Sequence, residues 1–250
     1  MLLDGKTIIV TGASSGIGAA AADVFAFNGA NVVLGARREE NLLRICETIR
    51  QKGGSATYVV GDVSDEQFAV ALVERAMEEF HRLDGAFNNA GTVGALGPLT
   101  DMPEENWHHV LQTNLTSAYY AAKHQIPALV KSGGGSILFT STFVGHTIGL
   151  PGMAAYAASK AALIGLTQVL AVEHGTDNIR VNAILPGGTK TEMAGDDPKA
   201  HEWVSGLHAL KRMAEPSEIA QAALFLISDQ SSFVTGSAMV ADGGNSIFKA

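Results

Sequence analysis

Short apolar runs alternate with longer amphipathic stretches along the whole chain, and this pattern constrains the fold more than any other feature. The run at 7–10, Thr-Ile-Ile-Val, is apolar or β-branched throughout rather than alternating with charged residues. A strand of that kind must be covered on both faces, which is the condition of a parallel sheet with helices on either side. Similar runs at 31–34, 56–60, 86–88, 137–140, 181–185 and 238–241 read as further strands. Between them, 16–28, 39–52, 64–80, 103–130, 154–174 and 217–228 read as helices. In 39–52, Leu42, Ile45, Cys46 and Ile49 share one face, and 64–80 opens on Ser and acids, as a capped helix should. The stretch 103–130 is expected to be interrupted or bent near Pro127. Strand–helix alternation predicts an α/β fold with one open, doubly wound sheet; a (β/α)₈ barrel would need an eighth strand. No linker or repeat divides the chain, so 1–250 reads as a single domain. The irregular segment 187–214, with Gly187, Gly188, Gly195, Pro198 and Gly206, is read as a lid near the strand ends.

Composition excludes several classes of function. Acidic residues outnumber basic ones, 25 to 17, and the net charge of −8 gives no footprint for nucleic acid or an anionic membrane. The single cysteine, Cys46, rules out an internal disulfide framework and a multi-cysteine metal site. The N-terminus is broken by glycine and charge before any long apolar run, so no signal peptide is read there. No stretch of about 18 apolar residues is read, so no membrane span is expected and a reducing, cytoplasmic setting is the default. His146, His174, His201 and His208 show no metal spacing; they are expected at the surface or a pocket rim, with His146 placed to touch a polar substrate.

Thr11-Gly12-Ala13-Ser14-Ser15-Gly16-Ile17-Gly18 follows the first strand and opens the first helix. Glycines allow a tight turn and let backbone approach a pyrophosphate, while the helix N-terminus supplies free N–H groups and the positive end of the helix dipole. The spacing is G-x-x-x-G-x-G. Farther along stand Asp62-Val63, Asn88-Asn89-Ala90-Gly91, Asn114, Ile-Leu-Phe-Thr-Ser-Thr at 137–142, Tyr156-Ala-Ala-Ser-Lys160, Asn182, Pro186-Gly187 and Asp242-Gly243-Gly244. In this order and spacing, over nearly the full chain, the sequence resembles the short-chain dehydrogenase/reductase family. The resemblance implies a Rossmann-type sheet of seven parallel strands in the order 3-2-1-4-5-6-7. It also implies a nicotinamide cofactor, interconversion of alcohols and carbonyls, and a homotetramer or homodimer.

The cofactor type follows from the end of the second strand, Leu34-Gly35-Ala36-Arg37-Arg38. A ribose 2′-hydroxyl is held by an acid, whereas a 2′-phosphate needs cationic donors. By the resemblance the acid of NAD-type members would fall at Ala36, and Arg37 lies where the family binds phosphate, with Arg38 beside it. NADP(H) is therefore expected, with NAD(H) the other option; Ser15 replaces a basic residue often found in the glycine loop. The resemblance further assigns to the cofactor Gly12, Ser14, Ser15, Gly16, Ile17, Gly18, Asp62 and Val63 near adenine, Asn89, Ala90 and Gly91 on the floor, and Pro186, Gly187, Thr189 and Thr191 near the nicotinamide. Asn88 is read as mostly structural, and Asp62 doubles as a cap for the following helix.

Tyr156 and Lys160 are four residues apart, on one face of a helix. A phenol titrates near about 10, and a nearby ammonium lowers that value, so Tyr156 can exchange a proton with substrate. By the resemblance Lys160 also binds the nicotinamide ribose, and Asn114 widens its helix and holds a water linking Lys160 to solvent. The substrate-orienting serine of the family corresponds to Thr142 or Ser141, because the loop before Tyr156 is longer by a residue or more. Threonine keeps the hydroxyl, and strand alternation sends 141 and 142 to opposite sides, which favours Thr142. Two alternatives accompany this reading. One is a β-ketoacyl carrier-protein reductase, for which Lys131 would serve docking while Val172 replaces a common arginine; the other is a non-catalytic nicotinamide sensor.

Overall fold

The computed structural model describes residues 1–248. Seven strands form one sheet: β1 (Thr7–Thr11), β2 (Asn31–Ala36), β3 (Ser55–Val60), β4 (Gly85–Asn88), β5 (Gly135–Thr140), β6 (Ile179–Pro186) and β7 (Ala238–Ala241). Their order is β3-β2-β1-β4-β5-β6-β7, and every pairing is parallel. The fold is thus the expected single doubly wound domain. The sheet reverses its winding between β1 and β4, where Val10 stands opposite Phe87. At such a switch point the strand ends splay and leave a crevice for ligands.

Strand alternation divides the core into two layers. Ile8 and Val10, Val32 and Leu34, and Leu138 face one layer, with Phe25, Leu42, Cys46 and Leu226. Ile9, Val33, Ile137 and Phe139 face the other, with Phe68, Leu72 and Leu163. The first layer is closed by α1 (Gly16–Phe27), α2 (Glu39–Gln51) and α8 (Pro216–Ile227). The second is closed by α3 (Glu66–Phe80), α5 (Ser117–Ser132) and α6 (Ala154–Glu173). Helix α3 begins two residues later than expected: its cap is Asp65, whose carboxylate accepts the Gln67 N–H at 3.0 Å.

Three expectations change here. The single helix foreseen over 103–130 is α4 (Glu104–Leu111), a π-helical turn (Gln112–Thr116) and α5, and the break falls at Asn114 while α5 continues through Pro127. The irregular segment 187–214 contains a 3₁₀ turn (Glu192–Ala194) and a helix, α7 (Pro198–Gly206), begun by the Asp197 carboxylate accepting Lys199 N–H and by Pro198 at the first position. Helix α6 has the length and a mean hydropathy of 1.4 that a membrane span requires, which the reading of apolar runs passed over. In the fold α6 packs along β6, with Ala155, Leu163, Thr167 and Ala171 buried.

Candidate active site

The C-terminal ends of β1, β4, β5 and β6 meet at the crevice, and the expected site residues lie on the segments that leave them. Thr11 ends β1, and its hydroxyl accepts the N–H groups of Asn89 (3.0 Å) and Ala90 (3.2 Å). The Asn89 amide donates back to the Thr11 carbonyl at 3.2 Å and accepts the Thr140 hydroxyl at 3.2 Å. Three strand ends are thereby tied together. Asn88 is joined to Gln125 by two hydrogen bonds of 2.9 and 3.0 Å, a structural placement.

The glycine loop turns from β1 into α1. A Cβ at Gly18 would stand 2.3 Å from the Gly12 carbonyl oxygen, so α1 can approach the loop this closely only with glycine there. Gly16 takes a φ of 54°, and a Cβ on it would meet Thr191 Cγ2 at 2.9 Å. The cap residue of α1, Ser15, makes no side-chain capping bond, and the first turn holds no acid. Unpaired N–H groups and no negative charge are what a pyrophosphate requires. Ser14, Ser15 and Ile17 belong to this same turn.

The two arginines after β2 diverge. Arg37 is three-quarters exposed, with its guanidinium 3.6 Å from Asp62. Arg38 instead folds over the glycine loop and donates to Ser14 Oγ (3.0 and 3.2 Å) and Ser15 Oγ (2.7 Å). It also pairs with Glu192 at 2.8 Å, linking the loop to the segment after β6. The guanidinium folded over the glycine loop is therefore that of Arg38, not Arg37. Asp62 accepts Ser64 N–H at 2.9 Å and Ser64 Oγ–H at 2.7 Å. Partial burial pushes its carboxyl up, but those bonds and Arg37 leave it below the ordinary value. Asp62 braces the turn before α3, next to Val63, while the cap itself is Asp65.

Tyr156 and Lys160 project from the first turns of α6 toward the end of β5. Burial pushes the Tyr156 phenol up, and the Thr142 hydroxyl beside it acts in the opposite direction. Lys160 is 3% exposed, and burial brings its ammonium down to about 8. Its Nζ donates to the Thr140 carbonyl at 2.6 Å. In this conformation Thr142 lies against the phenol, and the Lys160 ammonium is engaged by the strand end.

Ser141 and Thr142 take different partners. Ser141 is buried and donates to the Lys160 carbonyl at 2.7 Å, a bond between the segment just after β5 and α6. Thr142 faces Tyr156 and also accepts Val144 N–H at 3.3 Å. Asn114, 2% exposed, sits in the π-helical turn. Its side chain exchanges hydrogen bonds of 2.8 Å with both the N–H and the C=O of Thr92 and donates to Ser159 Oγ at 3.0 Å. Ser159 in turn donates to the Tyr156 carbonyl at 2.8 Å. The Asn114 side chain is thus spent on scaffolding, from the loop after β4 to the helix carrying Tyr156. A Cβ on Gly91 would stand 3.1 Å from both Asn114 Oδ1 and Lys160 Nζ. A cavity of about 20 Å³, room for one water, adjoins Lys160 between Asn88, Asn114, Ser117 and Gln125.

Beyond Pro186, Gly187 N–H bonds the Ala241 carbonyl at 3.1 Å, and Thr189 donates to the Gly187 carbonyl at 3.0 Å. Thr191 starts the 3₁₀ turn and packs on Gly16. Sequence reasoning missed three residues. Ser159 was visible only as a motif letter, and Glu192 as an ordinary acid. His208, expected at the surface or a rim, is 2% exposed. Among the described residues no His/Cys/Asp/Glu cluster could hold a metal.

Comparison with known proteins places this arrangement. The family profile described as enoyl-(acyl carrier protein) reductase matches residues 12–246. An A-factor type γ-butyrolactone 1′-reductase (1S-forming) of Streptomyces virginiae is 42% identical, with 98% of this chain and 97% of that protein covered. A 3-oxoacyl-(acyl-carrier-protein) reductase of Thermotoga maritima is 40% identical, covering 98% and 99%. A crystal structure of a short-chain type dehydrogenase/reductase from Mycobacterium marinum superimposes with a TM-score of 0.93 at 34% identity, covering 98% of this chain and 97% of that one. The chain belongs to the short-chain dehydrogenase/reductase family and is an oxidoreductase.

Proposed function

We propose that the protein interconverts a secondary alcohol and a ketone with NADP(H) as the redox partner. The observation that carries this reading is the convergence of Tyr156, Thr142 and Lys160 beside an uncapped helix N-terminus. A bound nicotinamide would supply the hydride chemistry. Gly12, Ser14, Ser15, Gly16, Ile17 and Gly18 would hold its pyrophosphate, and Arg38, exchanging Glu192 for a 2′-phosphate, would select the phosphorylated form. Arg37 and Asp62 lie at the outer edge of that subsite.

The protein's own groups then handle the proton. Thr142 donates a hydrogen bond to the substrate oxygen and orients it. Tyr156 gives its phenolic proton to that oxygen as negative charge develops there during reduction, and takes it back during oxidation. Lys160 stands one turn behind Tyr156, next to a cavity with room for one water; it would resupply a proton to the Tyr156 phenolate after reduction and take one up after oxidation. Exposed apolar side chains flank the site, Leu96 and Leu99 on the loop after β4, Met193 and Trp203 beyond β6. They suit an apolar cyclic or alkyl ketone. An acyl-carrier substrate fits less well, because Val172, 84% exposed, offers no charge to an acidic carrier. Apolar faces on α5 and α6, including Tyr119, Val169 and Val172, suit a homodimer or homotetramer, measurable by light scattering. Buried Cys46 fits a reducing, cytoplasmic setting.

Consumption of NADPH on a panel of ketones and lactones tests the reading. Tyr156→Phe should lower turnover by about 10²–10⁴-fold, the share expected of a general acid, and leave NADPH binding intact. Tight NADPH binding with no turnover on any carbonyl would instead favour a sensor.

A further inference from the structure

We propose that His208 is a positioning residue that pins the backbone at Gly188 to the lid helix α7, so that the loop after β6 and the helix above it act as one piece. This rests on the reading that the loop borders the cofactor. His208 lies just past α7, and its ring is enclosed by groups from three segments. A Cβ at Gly187 would stand 2.8 Å from Nε2, one at Gly188 2.9 Å from Cε1, and one at Gly243 3.3 Å from Cδ2. Glycines at the ends of β6 and β7 thus leave the space the imidazole fills.

The two ring nitrogens face partners with fixed roles. Nε2 lies 3.0 Å from the Gly188 nitrogen, which can only donate. Nδ1 lies 2.7 Å from the Val204 carbonyl oxygen, which can only accept. One species satisfies both contacts: the neutral imidazole with its hydrogen on Nδ1. The other tautomer would set two lone pairs and two hydrogens against each other in a buried place.

The pin continues along the chain. The Gly188 carbonyl accepts Ala214 N–H at 2.9 Å, and the Ala214 carbonyl accepts Lys190 N–H at 3.0 Å. Residues 188–190 are therefore held between His208 and Ala214, both in the second half of the lid excursion. Next comes Thr191, packed against Gly16 at the start of α1. A shift of the imidazole is passed through four residues of backbone to the turn that would hold the pyrophosphate.

Two substitutions separate the ring's two bonds. His208→Gln places an acceptor where Nε2 stood, in reach of Gly188. His208→Asn places a donor where Nδ1 stood, in reach of Val204, and leaves Gly188 N–H unpaired. Amide hydrogen exchange of cofactor-free protein should quicken in His208→Asn across 186–191 and 198–207 together. NADPH binding, followed by fluorescence, should weaken by about tenfold, the value of one net hydrogen bond. The KM for NADPH should rise more than kcat falls. His208→Gln keeps the Gly188 bond but gives up the one to Val204, so it should restore NADPH binding and slow exchange at 186–191 while 198–207 still exchanges faster. Exchange and binding unchanged in His208→Asn, or NADPH binding as weak in His208→Gln as in His208→Asn, would overturn the proposal. Faster exchange in both segments with unchanged NADPH binding would instead overturn the reading that the loop borders the cofactor. Nitrogen-15 NMR of the parent protein needs no variant: it should show a protonated Nδ1 and a bare Nε2, and the opposite tautomer refutes the pin.

Discussion

Replacing the two adjacent hydroxyls after β5 should produce opposite failures. Ser141 is buried and donates to the Lys160 carbonyl at 2.7 Å. Ser141→Ala removes one intramolecular hydrogen bond, a loss of about 1 kcal/mol. For a chain of this size that lowers Tm by about 2–4 °C. Turnover should stay within a few-fold of the parent, because Ser141 touches α6 backbone and not the reacting atoms. Thr142 has a single weak backbone partner, Val144 N–H at 3.3 Å, so Thr142→Val should cost less stability than Ser141→Ala. Its hydroxyl, however, stabilises the Tyr156 phenolate and would face the oxygen on which charge develops. Removing a donor of that kind costs about 10²–10³-fold in kcat, whereas Thr142→Ser keeps the donor and should stay active. Calorimetry and steady-state ketone reduction, run on the same preparations, separate the two effects. A Ser141→Ala enzyme that is stable but inactive, beside an active Thr142→Val enzyme, would refute the assignment and make Ser141 the substrate-orienting hydroxyl.

Arg38→Ala should weaken NADPH binding by about 10- to 100-fold, the value of a charge-assisted hydrogen bond, and leave NADH nearly unchanged. Arg37→Ala should do less, and titration calorimetry with both cofactors would expose the reverse order. Lys160 makes stability depend on pH in a definite direction. Its folded-state value of about 8 lies below the unfolded 10.5, so between those values the unfolded chain holds a proton the folded chain has lost. Stability from this group therefore rises with pH across that window, by about 3 kcal/mol. Denaturant unfolding of cofactor-free parent and Lys160→Met from pH 7.5 to 10.5 should show the difference moving in the parent's favour; a flat difference would contradict it.

The sheet was legible because β1, β2, β5 and β6 are buried on both faces, and such strands are continuous apolar runs. The spacing of Tyr156 and Lys160 was legible because four residues on a helix fix a common face. What the neighbours decide was not. Asn114 breaks its helix because Thr92 and Ser159, distant in sequence, take its side chain. Helical periodicity within 103–130 does not announce that, and only the family resemblance pointed to Asn114, whereas Pro127, the visible suspect, is tolerated inside α5. Helix α7 did have a local signal, Asp197-Pro198, which the surrounding glycines obscured. Arg37 and Arg38 could not be ranked from the chain, since the turn into α2 decides which guanidinium folds over Ser14 and Ser15. His208 reads as polar and so as exposed; it is buried because three glycines from elsewhere make a slot for it.

The turn at Gln112–Thr116 has a further effect, on the angular phase of the helix that precedes it. A π-helical turn fits one more residue into the path than an α-helical one, and each residue of an α-helix advances the chain by about 100°. Helix α4 is therefore screwed round by about that angle from where a continuous rod would present it. In this setting Val110 is fully buried, and a Cβ on Gly94 would stand only 2.4 Å from its Cγ2. The loop after β4, which flanks the crevice, thus takes its height from a screw setting. The inserted residue acts like a shim: it sets the turn at which α4 meets the loop after β4.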